Sequence, residues 1–272
     1  MTTARALVLG ILQGIGEFLP ISSSGHLIVV PWLLGWADSG LSFDVALHLG
    51  TLAAVAAAFW RDWLRMTGAF LRALPAGRVF EDRDARLLVY LAVASVPGAI
   101  AGLFLDKWAE TTFRAPGLVA LMMALVGLLL WAADRRARRA SGGADVSLGQ
   151  ALLIGLAQAL AIVPGTSRSG VTIAAGLFLG QRREAAARFS FLLALPITAG
   201  AALVKVPHLL RSGSETGPVL VGMAAAALAG FLAIRLLLAY VRRRSYLPFV
   251  CYRFAFALVV WAVLLWRAGF LR

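Results

Sequence analysis

Negative charge is scarce in this chain. Aspartate and glutamate supply 13 of 272 residues, and all charged residues together make up 14%. A soluble domain keeps about a quarter of its residues charged, so the composition excludes a water-soluble globule. Cysteine is nearly missing too. The lone Cys251, read as buried in an apolar stretch, excludes an intramolecular disulfide and a cysteine metal site, and it says nothing of redox compartment. Apolar residues fill the space: 61% of the chain is hydrophobic and the mean hydropathy is +0.84. Several stretches approach the roughly 20 residues that cross a bilayer. The net charge of +13 superficially suits nucleic acid. In a membrane protein, however, basic loops set orientation, and no nucleic-acid partner is expected.

The N-terminus has the outline of a secretory signal, with Arg5, an apolar run over Leu7 to Ile15 and small residues at Ser22 to Ser24. Glu17 and Pro20 interrupt that outline, and a similar segment recurs at 152–180, where no signal can lie. The N-terminus is therefore read as mature structure.

Six long apolar segments stand out, at about 43–60, 87–105, 116–133, 189–206, 218–240 and 247–268. Two shorter ones, at about 3–19 and 148–163, end at a proline-containing loop and resume as a second short run. Irregular backbone at membrane depth survives only against protein or a wet cavity. The segments 3–35 and 148–180 are accordingly read as re-entrant helix–loop–helix hairpins, the alternative being kinked full spans. Basic residues test this topology. They cluster at Arg61 to Arg86, Arg135 to Arg139, Arg182 to Arg188 and Arg242 to Arg244. Six spans and two hairpins put all four clusters on one side, the cytoplasmic one by the positive-inside rule. Making the second hairpin a full span would divide them. The first hairpin is not tested this way, since its crossing would move only the N-terminus.

An internal repeat supports both hairpins. Gly10 and Gln13 align with Gly155 and Gln158, and Ser22, Ser24 and Gly25 with Ser167, Ser169 and Gly170, at a constant offset of 145. The hairpins precede spans running in opposite directions, so the halves, about 1–133 and 148–272, are inverted around a basic cytoplasmic linker at 134–147. The expectation is an all-α integral membrane protein, a single membrane domain of six transmembrane helices plus two re-entrant hairpins in an inverted-topology repeat. Such repeats place a binding site at the repeat interface near the midplane. That architecture also serves transporters, so a transporter or flippase stands as the rival reading.

The chemistry-bearing residues lie on the two hairpins. Gln13 and Glu17 are four apart and share a helix face, with Gly10 and Gly14 beside it leaving room for close approach. A glutamate in an apolar helix is costly and is a functional candidate, unless an arginine pairs with it for packing alone. The run Ser22-Ser23-Ser24 opens the next helix, either as an anion site at a helix N-terminus or as ordinary capping. His26 offers general acid–base chemistry near neutral pH. In the second hairpin, Arg168 stands among Gly165, Ser167, Ser169 and Thr172, where its forked, permanent charge suits phosphate oxygens. The repeats have diverged: Glu17 and His26 face Ile162 and Val171, and Arg168 faces Ser23. Acid and base on one lip with phosphate binders on the other fits phosphoryl transfer. Asp44 and His48 share a face just after the first hairpin and suit a supporting role, while Arg235 and Arg253 sit in late spans with no role assigned.

These segments closely resemble the signature regions of the undecaprenyl-diphosphatase family of the bacitracin-resistance type. The first matches through Glu17, Phe18, Leu19, Pro20, the serine run, Gly25 and His26, the second through Pro164, Gly165, Ser167, Arg168, Ser169 and Thr172. Phe43-Asp44, Leu49-Gly50, Phe59-Trp60-Arg61 and Ser190 to Leu193 also look like the family. The resemblance implies hydrolysis of undecaprenyl pyrophosphate to undecaprenyl phosphate and inorganic phosphate. This reaction recycles the carrier lipid for peptidoglycan synthesis in a bacterial inner membrane and confers bacitracin resistance. It implies a divalent metal, Mg2+ or Ca2+, a site opening towards the periplasm, and Ser23 as nucleophile, with a metal-activated water as the alternative. His26 would then move the proton, and Glu17 would hold the metal or orient the nucleophile. Arg168 would stabilise charge, with Ser22, Ser24, Ser167, Ser169 and Thr172 on the phosphates. Many members carry glutamate where this chain has Gln13. Glutamine keeps an oxygen for a metal but loses the charge, which weakens a two-carboxylate site. The oligomeric state, a homodimer included, is left open.

Overall fold

The structure, a computed structural model, describes residues 1–137, 145–211 and 216–269. Its helices in chain order are α1 (Thr3–Phe18), α2 (Ser23–Leu34), α3 (Gly40–Ala73), α4 (Arg83–Glu110), α5 (Pro116–Ala137), α6 (Leu148–Ala159), α7 (Arg168–Phe178), α8 (Arg183–Arg211), α9 (Thr216–Val241) and α10 (Leu247–Arg267). Among the described residues there are no strands. Six helices, α3, α4, α5, α8, α9 and α10, are long and apolar enough to cross a membrane, and the chain is a multi-pass membrane protein. The remaining four are too short: α1, the longest, has 16 residues, about 24 Å at 1.5 Å per residue, against a hydrocarbon core of about 30 Å.

Helix ends follow local chemistry. The Thr2 side chain accepts the N–H of Arg5 to start α1, and the Asp82 carboxylate caps α4 through the N–H groups of Asp84 and Ala85. Ser147 and Gln150 close a reciprocal capping box on α6, satisfying donors that have no intrahelical partner. α5 runs on to Ala137, so the first residues assigned above to the linker are helical, while Arg138 and Arg139 lie outside the described residues.

Glycine sets how closely the helices pack. A Cβ on Gly10 would stand 2.3 Å from the Gly222 carbonyl oxygen, and one on Gly14 2.5 Å from that of Ala226. α1 therefore lies backbone to backbone on α9 and runs parallel to it, as small residues permit between membrane helices. Gly155 does the same to α4, with a Cβ 2.4 Å from the Ala94 carbonyl oxygen. Contacts pair off across the two halves: α1 with α9 and α6 with α4, α3 with α9 and α8 with α4, while α3 meets α8 and α5 meets α10. The main core gathers Phe18, Phe59, Leu91, Ile154, Leu177, Phe191, Ile234 and Tyr246. Phe18 and Phe191 meet edge to face with centroids 5.5 Å apart.

Ion pairs tie the basic segments together at one end. Arg65 bonds Asp84 at 2.8 Å and Asp62 at 3.0 Å, and Arg188 bonds the same Asp62 at 2.6 Å. Arg183 meets Asp134 at 2.5 Å, Arg242 meets Glu184 at 2.8 Å, and Arg83 meets Asp145. Basic residues of three clusters, Arg65 and Arg83, Arg183 and Arg188, and Arg242, thus meet at one end of the bundle, with Asp134 beside the fourth. At the opposite end Arg114 joins Asp38 at 3.0 Å and Asp44 at 3.6 Å. One reading needs correction: Cys251 is exposed. The buried face of α10 carries Val250, Arg253, Ala257 and Val260, and Cys251 lies off that face.

Candidate active site

Two loops meet inside the bundle. The first links α1 to α2 through Leu19 to Ser22, and the second leads through Pro164 to Ser167 into α7. Among the described residues, Ser22 and Ser167 are the non-glycine positions with positive φ, both at 72°. That conformation is uncommon for a residue with a Cβ and marks strain that the surroundings must hold. Each of these serines caps the helix it precedes. Ser22 Oγ accepts the Gly25 N–H at 3.3 Å, and Ser167 Oγ accepts the Gly170 N–H at 3.0 Å. Residues 145 apart thus share one local geometry.

Arg253 clamps the loops to each other. Its guanidinium is fully buried and donates to the carbonyls of Pro20 at 3.1 Å, Gly165 at 2.9 Å, Thr166 at 3.2 Å, Met122 at 3.2 Å and Met123 at 2.9 Å. Ser169 Oγ adds a bond to the Leu19 carbonyl at 3.2 Å. The role left open for Arg253 in the sequence is therefore structural in kind: it answers carbonyls that two irregular loops leave without helical partners.

Glu17 sits where the loops meet. Its Oε1 accepts from Arg168 Nη2 at 2.8 Å, its Oε2 from Ser23 Oγ at 2.7 Å and from Gln13 Nε2 at 3.3 Å. Gly16 makes the Ser23 contact possible, since a Cβ there would stand 2.9 Å from Ser23 Cα. Arg168 also donates to the Ser190 carbonyl at 2.8 Å. Thr172 Oγ1 lies 2.7 Å from Ser190 Oγ and donates to the Arg168 carbonyl at 2.7 Å, fixing the helix turn that carries the arginine. His48 Nε2 stands 3.8 Å from Glu17 Oε2. The Glu17 and Arg168 side chains are 10% and 12% exposed and that of His48 39%, so access to the carboxylate is on the His48 side.

The structure thus brings Gln13, Glu17, Ser23 and Arg168 into one cluster. Ser22, Ser24, Ser167, Ser169 and Thr172 line or brace the two loops, with Ser24 Oγ 3.4 Å from Ser22 Oγ and Ser167 Oγ 3.2 Å from Ser169 Oγ. His26 points elsewhere. Its Nδ1 lies 2.6 Å from the Ser22 carbonyl and its Nε2 2.6 Å from the Tyr252 hydroxyl, and the ring packs on Tyr252 and Phe256. A carbonyl only accepts, so Nδ1 carries the hydrogen and Nε2 accepts from the tyrosine. Both nitrogens are then occupied. Asp44 goes to Arg114 rather than to Glu17. Sequence reasoning did not single out Tyr252 and placed Ser190 only within a family-like segment, because neither contact leaves a periodic signal in the chain.

The fit to a divalent metal rests on donors. No group of three or more His, Cys, Asp or Glu side chains gathers among the described residues, so no all-protein cage is built. Gln13 Oε1, however, is buried with no partner, one turn from the Glu17 carboxylate. Its counterpart Gln158 Oε1 is unpartnered as well, but has no carboxylate at the aligned position. Magnesium binds through one or two carboxylates and takes further oxygens from substrate phosphates and water. Glu17 supplies the one carboxylate of that set, and Gln13, which here turns its Nε2 to Glu17, would add its oxygen with the amide rotated.

Comparison with known proteins covers nearly the whole chain. The family described as Bacitracin resistance protein BacA matches residues 6–259. A protein of Moorella thermoacetica named undecaprenyl-diphosphatase is 52% identical over 263 residues, covering 97% of this chain and 98% of that one. Proteins of the same name from Pelotomaculum thermopropionicum and Gemmatimonas aurantiaca are 49% and 48% identical, the first covering 96% of each chain and the second 97% of this chain and 98% of its own.

Proposed function

The chain belongs to the bacitracin resistance protein BacA family, and from that membership we infer that it is a membrane hydrolase. It converts undecaprenyl pyrophosphate to undecaprenyl phosphate and inorganic phosphate, and so recycles the carrier lipid for cell-wall synthesis and confers bacitracin resistance. The observation that carries the mechanism is the 2.7 Å bond from Ser23 Oγ to Glu17 Oε2. In this reading Ser23 Oγ attacks the terminal phosphorus while its proton passes to Glu17. The bridging P–O bond breaks and undecaprenyl phosphate leaves, taking that proton from Glu17 on its freed oxygen. Water then attacks the phosphoserine, giving its proton to Glu17, which passes it to Ser23 Oγ as the serine P–O bond breaks and inorganic phosphate departs. Arg168 and the N-termini of α2 and α7 face the phosphates, where positioned charge and helix dipoles stabilise the transferring group. The proton role read into His26 passes to Glu17, and His26 holds the Ser22 carbonyl next to the nucleophile. Mg2+ or Ca2+ would be held by Glu17 and Gln13. Bound there, the ion supplies positive charge to the diphosphate oxygens.

Three features support re-entrant hairpins. α1 ends beside the middle of α9, since a Cβ on Gly230 would contact the Phe18 ring at 2.9 Å. α2 returns to the end where Arg267 donates to the Trp32 carbonyl. α6 and α7 both have their open ends at the basic end, joined by the bond from Gln150 Nε2 to the Leu179 carbonyl at 3.0 Å. The exchanged contacts of α1 with α9 and α6 with α4 support the inverted repeat. With the basic end in the cytoplasm, the His48 side of the site faces the periplasm.

The test is phosphate release from undecaprenyl pyrophosphate by purified protein in detergent, with and without EDTA, followed by mass spectrometry of rapidly quenched protein. Release that EDTA abolishes and a phosphate on Ser23 are expected. Release that survives in Ser23→Ala would remove the serine from the mechanism and leave water as nucleophile.

A further inference from the structure

We propose that a cleft between α3, α8 and α9 at the basic end binds the phosphate of a membrane lipid, with Arg61, Arg188 and Arg235 as its ligands. Two adjoining cavities of about 410 and 290 Å3 form it, sharing Ala58, Asp62, Arg188 and Arg235 and continuing along α9 to Arg242. Phe59, which lines the second cavity, breaks the regular geometry of α3 there, with φ −120° and ψ 18°.

Charge in the cleft does not balance. Arg188 is neutralised by Asp62 at 2.6 Å and Arg242 by Glu184 at 2.8 Å, while Asp62 also serves Arg65 at 3.0 Å. Arg61 and Arg235 have only aromatic partners, Trp60 at 5.2 Å and Phe231 at 5.3 Å, and no ion pair among the described residues. Arg235 lies six residues inside the end of α9, a span otherwise free of charge between Thr216 and Val241. An arginine at that depth is costly unless it meets an anion or an aqueous path. Here two unpaired guanidinium groups and one shared one line a single cavity, and a phosphate takes such forks readily.

The ligand's other half is apolar. Trp60, Leu64, Leu232 and Leu236 stand exposed beside the same arginines, on spans that face lipid, so the cleft opens to acyl or isoprenoid chains as well as to the charged interface. It is separate from the site around Glu17. The rings of Phe18, Phe191 and Phe59 stand in series between them, at 5.5 Å and 6.5 Å.

The experiment is native mass spectrometry of the full chain in detergent, titrated with phosphatidylglycerol, phosphatidylcholine or inorganic phosphate. The double variant Arg61→Gln, Arg235→Gln is compared with Arg72→Gln, Arg78→Gln, which removes equal charge from the same end outside the cleft. Phosphatidylglycerol affinity is expected to fall by at least about ten-fold in the first pair, given the strength of hydrogen bonds to charged groups. It should be unchanged in the second, with neither phosphatidylcholine nor inorganic phosphate competing. Equal binding by the cleft variant and wild type, equal loss in both pairs, or displacement by inorganic phosphate at matched concentration would each overturn the proposal. If the double variant fails to fold, Arg235→Gln alone, at an exposed position, is read by the same outcomes.

Discussion

Glu17 divides its two carboxylate oxygens between a cation and a hydroxyl, and the division predicts how variants separate. In Glu17→Gln the amide can still bond Ser23 but takes no proton, so kcat is expected to fall by about 10²- to 10⁴-fold, the usual share of general base catalysis, with KM little changed. His26→Gln keeps a polar group near the Ser22 carbonyl and Tyr252, and its kcat is expected to fall by no more than about ten-fold. Steady-state kinetics on the two variants decides the assignment: equal losses would return the proton to His26. The pair Gln13 and Glu17 was legible from a spacing of four on one helix face. Arg168 was legible as a candidate site residue, but its bond to Glu17 joins residues 151 apart in the chain, and only the aligned repeats hinted that the loops meet. The orientation of His26 was not legible. Its place one turn into α2 suggested the site, yet Tyr252 and Phe256 on α10, distant in sequence, turn the ring away.

The irregular loops between short helices are held from outside, and Arg253 is where that dependence is concentrated. Five carbonyls from α5 and both loops converge on one guanidinium. Lysine has one ammonium on a flexible stem and cannot span them. Arg253→Lys is expected to leave several of these buried acceptors unpaired. The expected cost is on the order of 3 kcal/mol of stability, and activity falls because Ser23 and Arg168 lose their relative placement. Thermal unfolding in detergent alongside the phosphatase assay tests this. A variant with unchanged midpoint and rate would show that the loops hold themselves. Helix existence was read well from hydrophobicity, because span length is set by the bilayer. Helix ends were not. α3 continues beyond the apolar stretch to Ala73, where Ala69 and Ala73 pack on Ala85 at the start of α4, a small contact that an arginine-rich segment conceals.

Sidedness belongs to the whole molecule, and the re-entrant reading makes a paired prediction about it. If α1 and α2 enter and leave on one side, then Thr3 and Ala37, both exposed, face the periplasm together. If α6 and α7 do so from the other side, Gly149 and Arg182, also exposed, face the cytoplasm together. Cys251→Ala supplies a cysteine-free background, since the native thiol is exposed. Single cysteines at the four positions are then labelled with a membrane-impermeant maleimide in intact spheroplasts and again after lysis. The first two are expected to react before lysis and the second two only after it. Thr3 and Ala37 on opposite sides would make the first hairpin a full crossing. The basic residues alone do not exclude that outcome, because it moves nothing but the N-terminus. The same result for Gly149 and Arg182 would make the second hairpin a full crossing. It would split the pairs Arg183–Asp134 and Arg188–Asp62 and strand their charges on opposite faces of the membrane, a cost that the re-entrant arrangement avoids.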